Sequence, residues 1–394
     1  MKRIATETAS GALVMTMITM GAMFLAWLFM SGLDQRGLLK AVTGETARRR
    51  MFDAHTAGYY EDLIDAGQRQ GKRLPWENIN GVKHISPPDD WPKLHDTDGV
   101  LWDEPFQRFR LRPGSNIEYK GAPLGVNDLG LRDRPYPLKK SDGVRRVVLV
   151  GSSILMGSGV SVDEVFENLI EDRIASGRFG ARREKIEFLN LGVAGYRIDQ
   201  LVDVVVRSSE RFDPDAVVMV LNDLMVNSNW SRHLVWMLEE DRDLRYEHLD
   251  EVVAMSGITK GMSSVEYAKR LAPHRDELIT RSLRRVRAWC EEKGLPLVFL
   301  VVPQPGMSGV LQDRLMSIDP PLFSLGVPVL SLLDAYRKHG DASAYWLKPW
   351  DMHPTSEGHA LLAESWSREL EARPEITDLL LGSTSENTSG GDDD

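Results

Sequence analysis

Five residues of this chain have types and places that could work together: Ser153, Gly195, Asn222, Asp351 and His353. Their shared chemistry would be attack on an acyl carbon. A serine hydroxyl needs a base to take its proton, a third group to hold that base in the right tautomer, and donors for the charge that grows on the carbonyl oxygen. Ser153 offers the hydroxyl, in Gly151-Ser152-Ser153 directly after the aliphatic run 147–150. His353 offers an imidazole, and Asp351 is close enough in sequence to orient it. Gly195 lets a backbone N–H approach a substrate without a Cβ in the way. Asn222, in Leu221-Asn222-Asp223, adds a side-chain amide. Singly, such residues are more often turn or helix-capping residues. What joins them is their order, each at the end of a strand or just before a helix.

Competing chemistries fit less well. A phosphate-binding P-loop needs four residues between its glycines and then Lys with Ser or Thr, whereas five separate Gly151 from Gly157 and Ser158 follows. Ser153 also stands where the dinucleotide fingerprint needs its second glycine. His353 and His359, with Asp351, lack the i, i+4 spacing of a helical zinc site, so no metal is assigned and His359 is read as a helix-surface or packing histidine. Cys290 is the single cysteine, which rules out an intrachain disulfide and a cysteine-rich metal site. A net charge of −10 over 394 residues argues against a nucleic-acid partner. No organic cofactor is implied.

The elements that must position these residues begin near residue 144. Strand-like runs over 147–150, 186–191, 216–221, 296–302 and 327–332 alternate with helical patterns over 163–175, 198–211, 275–293 and 356–371. Such alternation predicts a parallel sheet with helices on both faces. The candidate residues then gather at the carboxyl edge of the sheet, where α/β folds bind ligands. Residues 225–272 interrupt the pattern with Trp230, Trp236 and the run Glu239-Glu240-Asp241-Arg242-Asp243. They read equally as a lid over a pocket or as a peripheral helical insertion. Before the sheet, 32–143 divides into a polar helical stalk, to about residue 70, and an irregular lead-in rich in Pro, Trp and Asp. The tail 383–394 is Ser, Gly and Asp with nothing to bury, and is expected to be disordered and acidic.

Residues 11–30 carry no charge and are rich in Met, Leu, Ala and Phe, a length that matches the ~20 residues of a membrane-crossing helix. The run exceeds the ~7–15 residues of a signal-peptide core, and no small-x-small cleavage site follows. A retained single-pass anchor over 1–31 is therefore expected in preference to a cleaved signal. Lys2 and Arg3 precede the span, while Arg36, Lys40, Arg48, Arg49 and Arg50 follow it. Counted over the whole flank these charges favour a cytoplasmic body; counted close to the span they nearly balance.

Serine, glycine, asparagine and Asp-His in that order resemble the SGNH/GDSL hydrolase family over roughly 144–371. In this resemblance Ser153 matches the block-one nucleophile, Gly195 the block-two oxyanion glycine, Asn222 the block-three asparagine and His353 the base of the last block. Arg110-Leu111-Arg112-Pro113 and Gly130-Leu131-Arg132-Asp133 look like the lead-in of bacterial membrane-associated members. Two positions depart from the pattern. The usual Gly-Asp-Ser is Gly-Ser-Ser, which puts Ser152 at a supportive position, and the usual Asp-x-x-His is Asp-x-His, a spacing similar to that of polysaccharide-acetylating relatives.

The resemblance implies a three-layer α/β/α flavodoxin-like fold with a short parallel sheet over 144–372. It implies a serine-dependent esterase, without cofactor, acting on an acyl ester of a carbohydrate or lipid, either a small molecule or a polysaccharide. Ser153 would attack, His353 take its proton and Asp351 orient His353, with Gly195, Asn222 and the Ser153 N–H around the oxyanion. The alternatives are an O-acyltransferase that modifies an envelope polysaccharide, and a catalytically silent binding protein. For an anchored member the body is expected to be periplasmic or extracellular.

Overall fold

The computed structural model describes residues 87–383 apart from 103–104, 181–184, 227–229, 317 and 319–321, together with two short strands, Trp76–Ile79 and Val82–Ile85. The expected membrane anchor and stalk, and the tail from residue 384, lie outside the described residues. Among the described residues no helix is long and apolar enough to cross a membrane.

Five parallel strands form the central sheet: β1 (Val144–Val150), β2 (Lys185–Asn190), β3 (Ala216–Leu221), β4 (Leu297–Val301) and β5 (Val329–Ser331). Their spatial order is β5-β4-β3-β1-β2. The strands are apolar on both faces because both faces are covered. Val148 and Val150 of β1, with Val217 and Met219 of β3, join one core. Val147 and Leu149, with Val218 and Val220, join the other. Order 2-1-3-4-5 places the topological switch between β1 and β3, where open α/β sheets leave a crevice.

The helices are α1 (Ser153–Met156), α2 (Phe166–Ala175), α3 (Ile198–Asp203), α4 (Arg232–Glu239), α5 (Glu247–Ser256), α6 (Ser264–Leu271), α7 (Arg275–Lys293), α8 (Ser308–Met316), α9 (Ser356–Ala372) and α10 (Pro374–Leu381). Helices α3 and α7 cover the first face, through Leu201, Val202, Leu283 and Val286. Helices α2, α9 and α10 cover the second, through Phe166, Ile170, Leu362, Trp366 and Leu380. The architecture is thus three layers, α/β/α.

Two differences from the sequence reading go beyond a few residues at an element's end. The helix expected over 198–211 stops as α-helix at Asp203 and continues as a π turn, Val204–Ser208, and a short 3-10 turn, Glu210–Phe212. A further helix, α10, follows the one expected to be last; Pro374 sits in its first turn, where a missing N–H costs nothing. Residues 225–272 contain α4, α5 and α6, and their Leu234, Met237, Val252 and Tyr267 join the α3/α7 core.

The lead-in packs into that same core through Phe106, Phe109, Leu111, Tyr119, Leu124 and Leu131. It holds a hairpin, Asn116–Tyr119 against Ala122–Gly125. Its two-residue turn, Lys120-Gly121, has φ of 55° and 86°, the left-handed pair of a type I′ turn. The lead-in also covers the outer edge of β2. Asp133 Oδ2 accepts from the Asn190 N–H at 2.8 Å, and Glu171 Oε2 of α2 accepts from the Phe188 N–H at 2.6 Å. An edge strand capped in this way offers no template to another chain.

Burial pushes the Asp133 carboxyl up to about 8, against the backbone N–H bonds that favour its charge. Neighbouring Glu167 is held well above the usual range by burial and by Asp133. An unfolded chain would release the Asp133 proton near pH ~4, so across the interval up to about 8 the native state binds the extra proton and stability falls as pH rises. Buried neutral histidines, His353 and His359, act in the opposite direction below about pH 6.5. The advantage of Asp133→Asn over the parent chain should therefore grow from pH ~5 to ~8. Urea midpoints for the two chains, compared across pH, check this; a constant difference would remove Asp133 from the account.

Candidate active site

Strand β1 ends at Val150, and the Gly151-Ser152 turn delivers Ser153 as the first residue of α1. One turn later Gly157, at φ 73°, stops the helix, with its N–H bonded to the Ile154 carbonyl at 3.1 Å. The two serines are not equivalent. Ser152 is fully buried, and its Oγ accepts a hydrogen bond from Asn222 Nδ2 at 2.7 Å. Ser153 is only half-buried. Asn222 follows β3, so this bond ties the ends of β1 and β3 together at the switch point. The sequence placed Asn222 in the oxyanion space of Ser153; the structure gives it a direct bond to the preceding serine.

Asn190 closes β2 and reaches α1. Its Nδ2 donates to the Leu155 carbonyl at 2.7 Å and to Glu167 Oε1 at 2.9 Å, and its Oδ1 accepts from the Gly192 N–H at 2.9 Å. A Cβ on Gly192 would stand 2.7 Å from the Met156 backbone nitrogen, so only glycine lets this loop approach α1. Gly195 lies three residues further on, exposed, at φ 89°, with open space where a Cβ would be. The Ala194 N–H beside it meets Met156 Sδ at 3.3 Å. The glycine loop is therefore seated against the helix that Ser153 opens.

Asp351 and His353 lie on a short strand, β7 (Asp351–Pro354), paired antiparallel with β6 (Trp346–Lys348). Strand β7 packs against α1. Thr355 then caps α9, accepting from the Gly358 N–H at 3.3 Å, which fixes the chain just beyond His353. His353 Nδ1 is hydrogen-bonded to Asp351 Oδ1, which also accepts the His353 backbone N–H at 3.1 Å. With its proton on Nδ1, the neutral ring carries its lone pair on Nε2, the tautomer that a serine base requires.

The other Asp351 oxygen has two partners that no local sequence pattern announces. Oδ2 accepts from Lys120 Nζ at 2.6 Å and from Trp91 Nε1 at 2.9 Å. The Lys120–Asp351 ion pair is buried, with the two side chains 4% and 0% exposed. Lys120 occupies the turn of the lead-in hairpin, its Nζ 5.6 Å from the Tyr119 ring centre and 6.0 Å from that of Trp91. The Tyr-Lys-Gly-Ala spacing marks a turn, but nothing in a lysine at a turn signals burial.

The electrostatics suit a base. Burial alone would raise the Asp351 carboxyl, but the Lys120 ammonium and His353 outweigh it and hold that carboxyl well below its usual value. Burial lowers the His353 imidazole, Asp351 opposes, and Lys120 adds to the lowering, so the ring is neutral at neutral pH. His359, by contrast, is a packing residue. It stacks on Phe166 with ring centres 5.9 Å apart, and burial presses its pKa down to about 3. Burial pushes the Cys290 thiol up to about 12, which removes it as a nucleophile. Among the described residues no group of three His, Cys, Asp or Glu side chains is arranged to hold a metal ion.

No protein-family model matches the chain, and no curated protein matches it. Among solved structures it is similar to a lipase/acylhydrolase from Enterococcus faecalis, at 16% identity over 58% of this chain and 96% of that one, with a TM-score of 0.33. It is similar to a GDSL-like lipase from Bacteroides thetaiotaomicron, at 11% identity over 58% and 88%, with a TM-score of 0.32. It is also similar to a catalytic mutant of an acetylxylan esterase from Geobacillus stearothermophilus, at 14% identity over 57% and 94%, with a TM-score of 0.37. Identity is low in each pair and each TM-score is below 0.5, so function is read from the geometry of the site itself.

Proposed function

We propose that this chain is a serine esterase of the SGNH/GDSL type, with Ser153 as nucleophile and His353 as base. The observation that carries the reading is the Asp351–His353 hydrogen bond on a strand packed against the helix that Ser153 opens. In the proposed reaction Ser153 Oγ attacks the ester carbonyl while His353 Nε2 takes its proton. The tetrahedral intermediate collapses, His353 returns that proton to the departing alkoxide, and the acyl group stays on Ser153. Water then attacks the acyl-serine, giving a proton to His353, which returns it to Ser153 Oγ as the acid leaves. The Ser153 and Gly195 N–H groups and the Asn222 amide are assigned to the oxyanion.

Asn222 has a distinct support in this scheme. An amide nitrogen carries two protons. The Ser152 hydroxyl takes one and so fixes the amide plane, while the other is assigned to the oxyanion. Because that charge exists only while Ser153 attacks, the contact lowers the barrier more than it strengthens substrate binding. Asn222→Ala should reduce turnover by ~10²–10³ with little change in KM. Ser152→Ala should cost less, since it acts by positioning Asn222. Steady-state kinetics on p-nitrophenyl acetate test both; full activity of Asn222→Ala would take the residue out of the mechanism.

The acyl-serine can equally pass its acyl group to a sugar hydroxyl. Product analysis with and without a sugar acceptor separates hydrolysis from O-acyl transfer. An absence of any acyl-serine would favour a binding protein.

A further inference from the structure

We infer that the cavity beside Asn222 holds a carboxylate-bearing saccharide, with Arg232 and Arg108 as the partners of its acidic group. This rests on the esterase reading and names the substrate class of the same site. The cavity is about 820 Å³, lies between α4, α6 and the chain that follows β3, and falls within the range of small-molecule pockets. Chain proximity and one contact tie it to the Asn222 end of β3. Val226 and Trp230, in its wall, come shortly after Asn222 in the chain. Arg314 of α8, also in its wall, donates to Asp223 Oδ1 at 2.6 Å, and Asp223 is the neighbour of Asn222.

The cavity is built around positive charge in excess of what its own acids neutralise. Arg314 is paired with Asp223, and Arg275 with Asp276 at 2.7 Å. Glu239 is taken up by the Tyr267 hydroxyl and by the Gly261 N–H. Among the described residues no carboxylate pairs with Arg232, and its Nη1 is buried without a hydrogen bond. Arg108 has Glu240 within its field, but its guanidinium lies against rings, 5.4 Å from the centre of Trp102 and 5.5 Å from that of Trp236. It is held there by a backbone at φ 70°, which a non-glycine residue adopts at some cost. Burial, with Arg197 and Arg108 nearby, presses the Arg232 pKa down to about 9.

A buried donor left unsatisfied is costly, and a guanidinium is satisfied best by the two oxygens of an anion. Trp230, Trp236 and Tyr267 give its wall an aromatic, largely apolar lining of the kind that sugar rings pack against. Charge and shape together fit an acidic sugar. Lys93 and His95 lie in the field shared with Arg108 and Arg232, and Trp91, just before them, holds Asp351. The lead-in thus runs from Asp351 to the wall of the cavity, where it supplies Arg108.

The test is calorimetric titration of the full chain with trigalacturonate, which carries no ester, and with neutral maltotriose. The acidic trisaccharide should bind, and the neutral one should bind at least about tenfold more weakly. Arg232→Gln and Arg108→Gln should each weaken trigalacturonate by about tenfold or more, while Arg232→Lys should lose less. Thermal melts confirm that the variants fold. Equal affinity for both trisaccharides overturns the inference, as does an affinity untouched in both glutamine variants. Binding to vesicles of anionic phospholipid without binding to trigalacturonate overturns it too. Failure of the esterase reading is seen separately, as an absence of acyl-serine in the parent chain, because this site is read by binding alone.

Discussion

Replacing Ser153 by alanine is expected to lower ester turnover by roughly 10⁶-fold and to abolish labelling by a fluorophosphonate. His353→Ala should do nearly the same. A nucleophile and its base act as a unit, so losing either costs about as much as losing both. The half-buried Ser153 is the one hydroxyl of the Gly-Ser-Ser turn with access to a ligand, since Ser152 is fully buried and bonded to Asn222. Mass spectrometry of the labelled chain should therefore place the phosphonate on Ser153 and leave Ser152 unmodified. A label on Ser152 would overturn the assignment of the turn.

The second large effect is expected at Asp351, and it should appear in stability as well as in rate. Asp351→Asn replaces an acceptor-only carboxylate by an amide that can donate to the ring and hold His353 in the wrong tautomer, a change of the kind that costs ~10⁴ in turnover. It also leaves Lys120 charged and buried without its counter-ion. Breaking a buried pair from one side costs about 3–5 kcal/mol, and this pair is 4% and 0% exposed. Lys120→Met breaks it from the other side, so Asp351→Asn with Lys120→Met should be more stable than the sum of the two single losses predicts. Because the Lys120 ammonium lowers the His353 pKa, its removal should also shift the acid limb of the kcat/KM profile to higher pH. Urea unfolding and pH-rate profiles measure these effects. An Asp351→Asn chain as stable as its parent would show that Lys120 does not depend on the carboxylate.

The sheet was legible because parallel strands covered on both faces read as unbroken aliphatic runs. Ala216–Leu221 is legible to the residue for this reason, and Arg275–Lys293 likewise from its charged helical pattern. Strand ends then placed Ser153, Gly195 and Asn222 on the right edge. The early end of α3 was not legible, since the switch from α to π hydrogen bonding at Val204 leaves the apolar spacing nearly unchanged. Lys120 and Trp91 were hidden for a different reason. Their bonds to Asp351 span 231 and 260 residues of chain, and local periodicity carries no information at that distance. The role of Ser152 was half-read: a supportive position was recognised, but not the Asn222 amide it holds.

The hairpin turn at Lys120-Gly121 has a consequence for how this chain matures. Lys120 comes early in the sequence and Asp351 late, so their meeting closes a loop of most of the molecule, and such closures are entropically dear and slow. The sheet can form from nearer neighbours, β1 with β2 and with β3, before that closure takes place. A chain with a finished sheet but an undocked hairpin would be folded by most spectroscopic measures and still lack the Lys120 clamp on Asp351, the partner of the proposed base. Competence in the proposed reaction should therefore come late, once two distant stretches of the polypeptide have found each other.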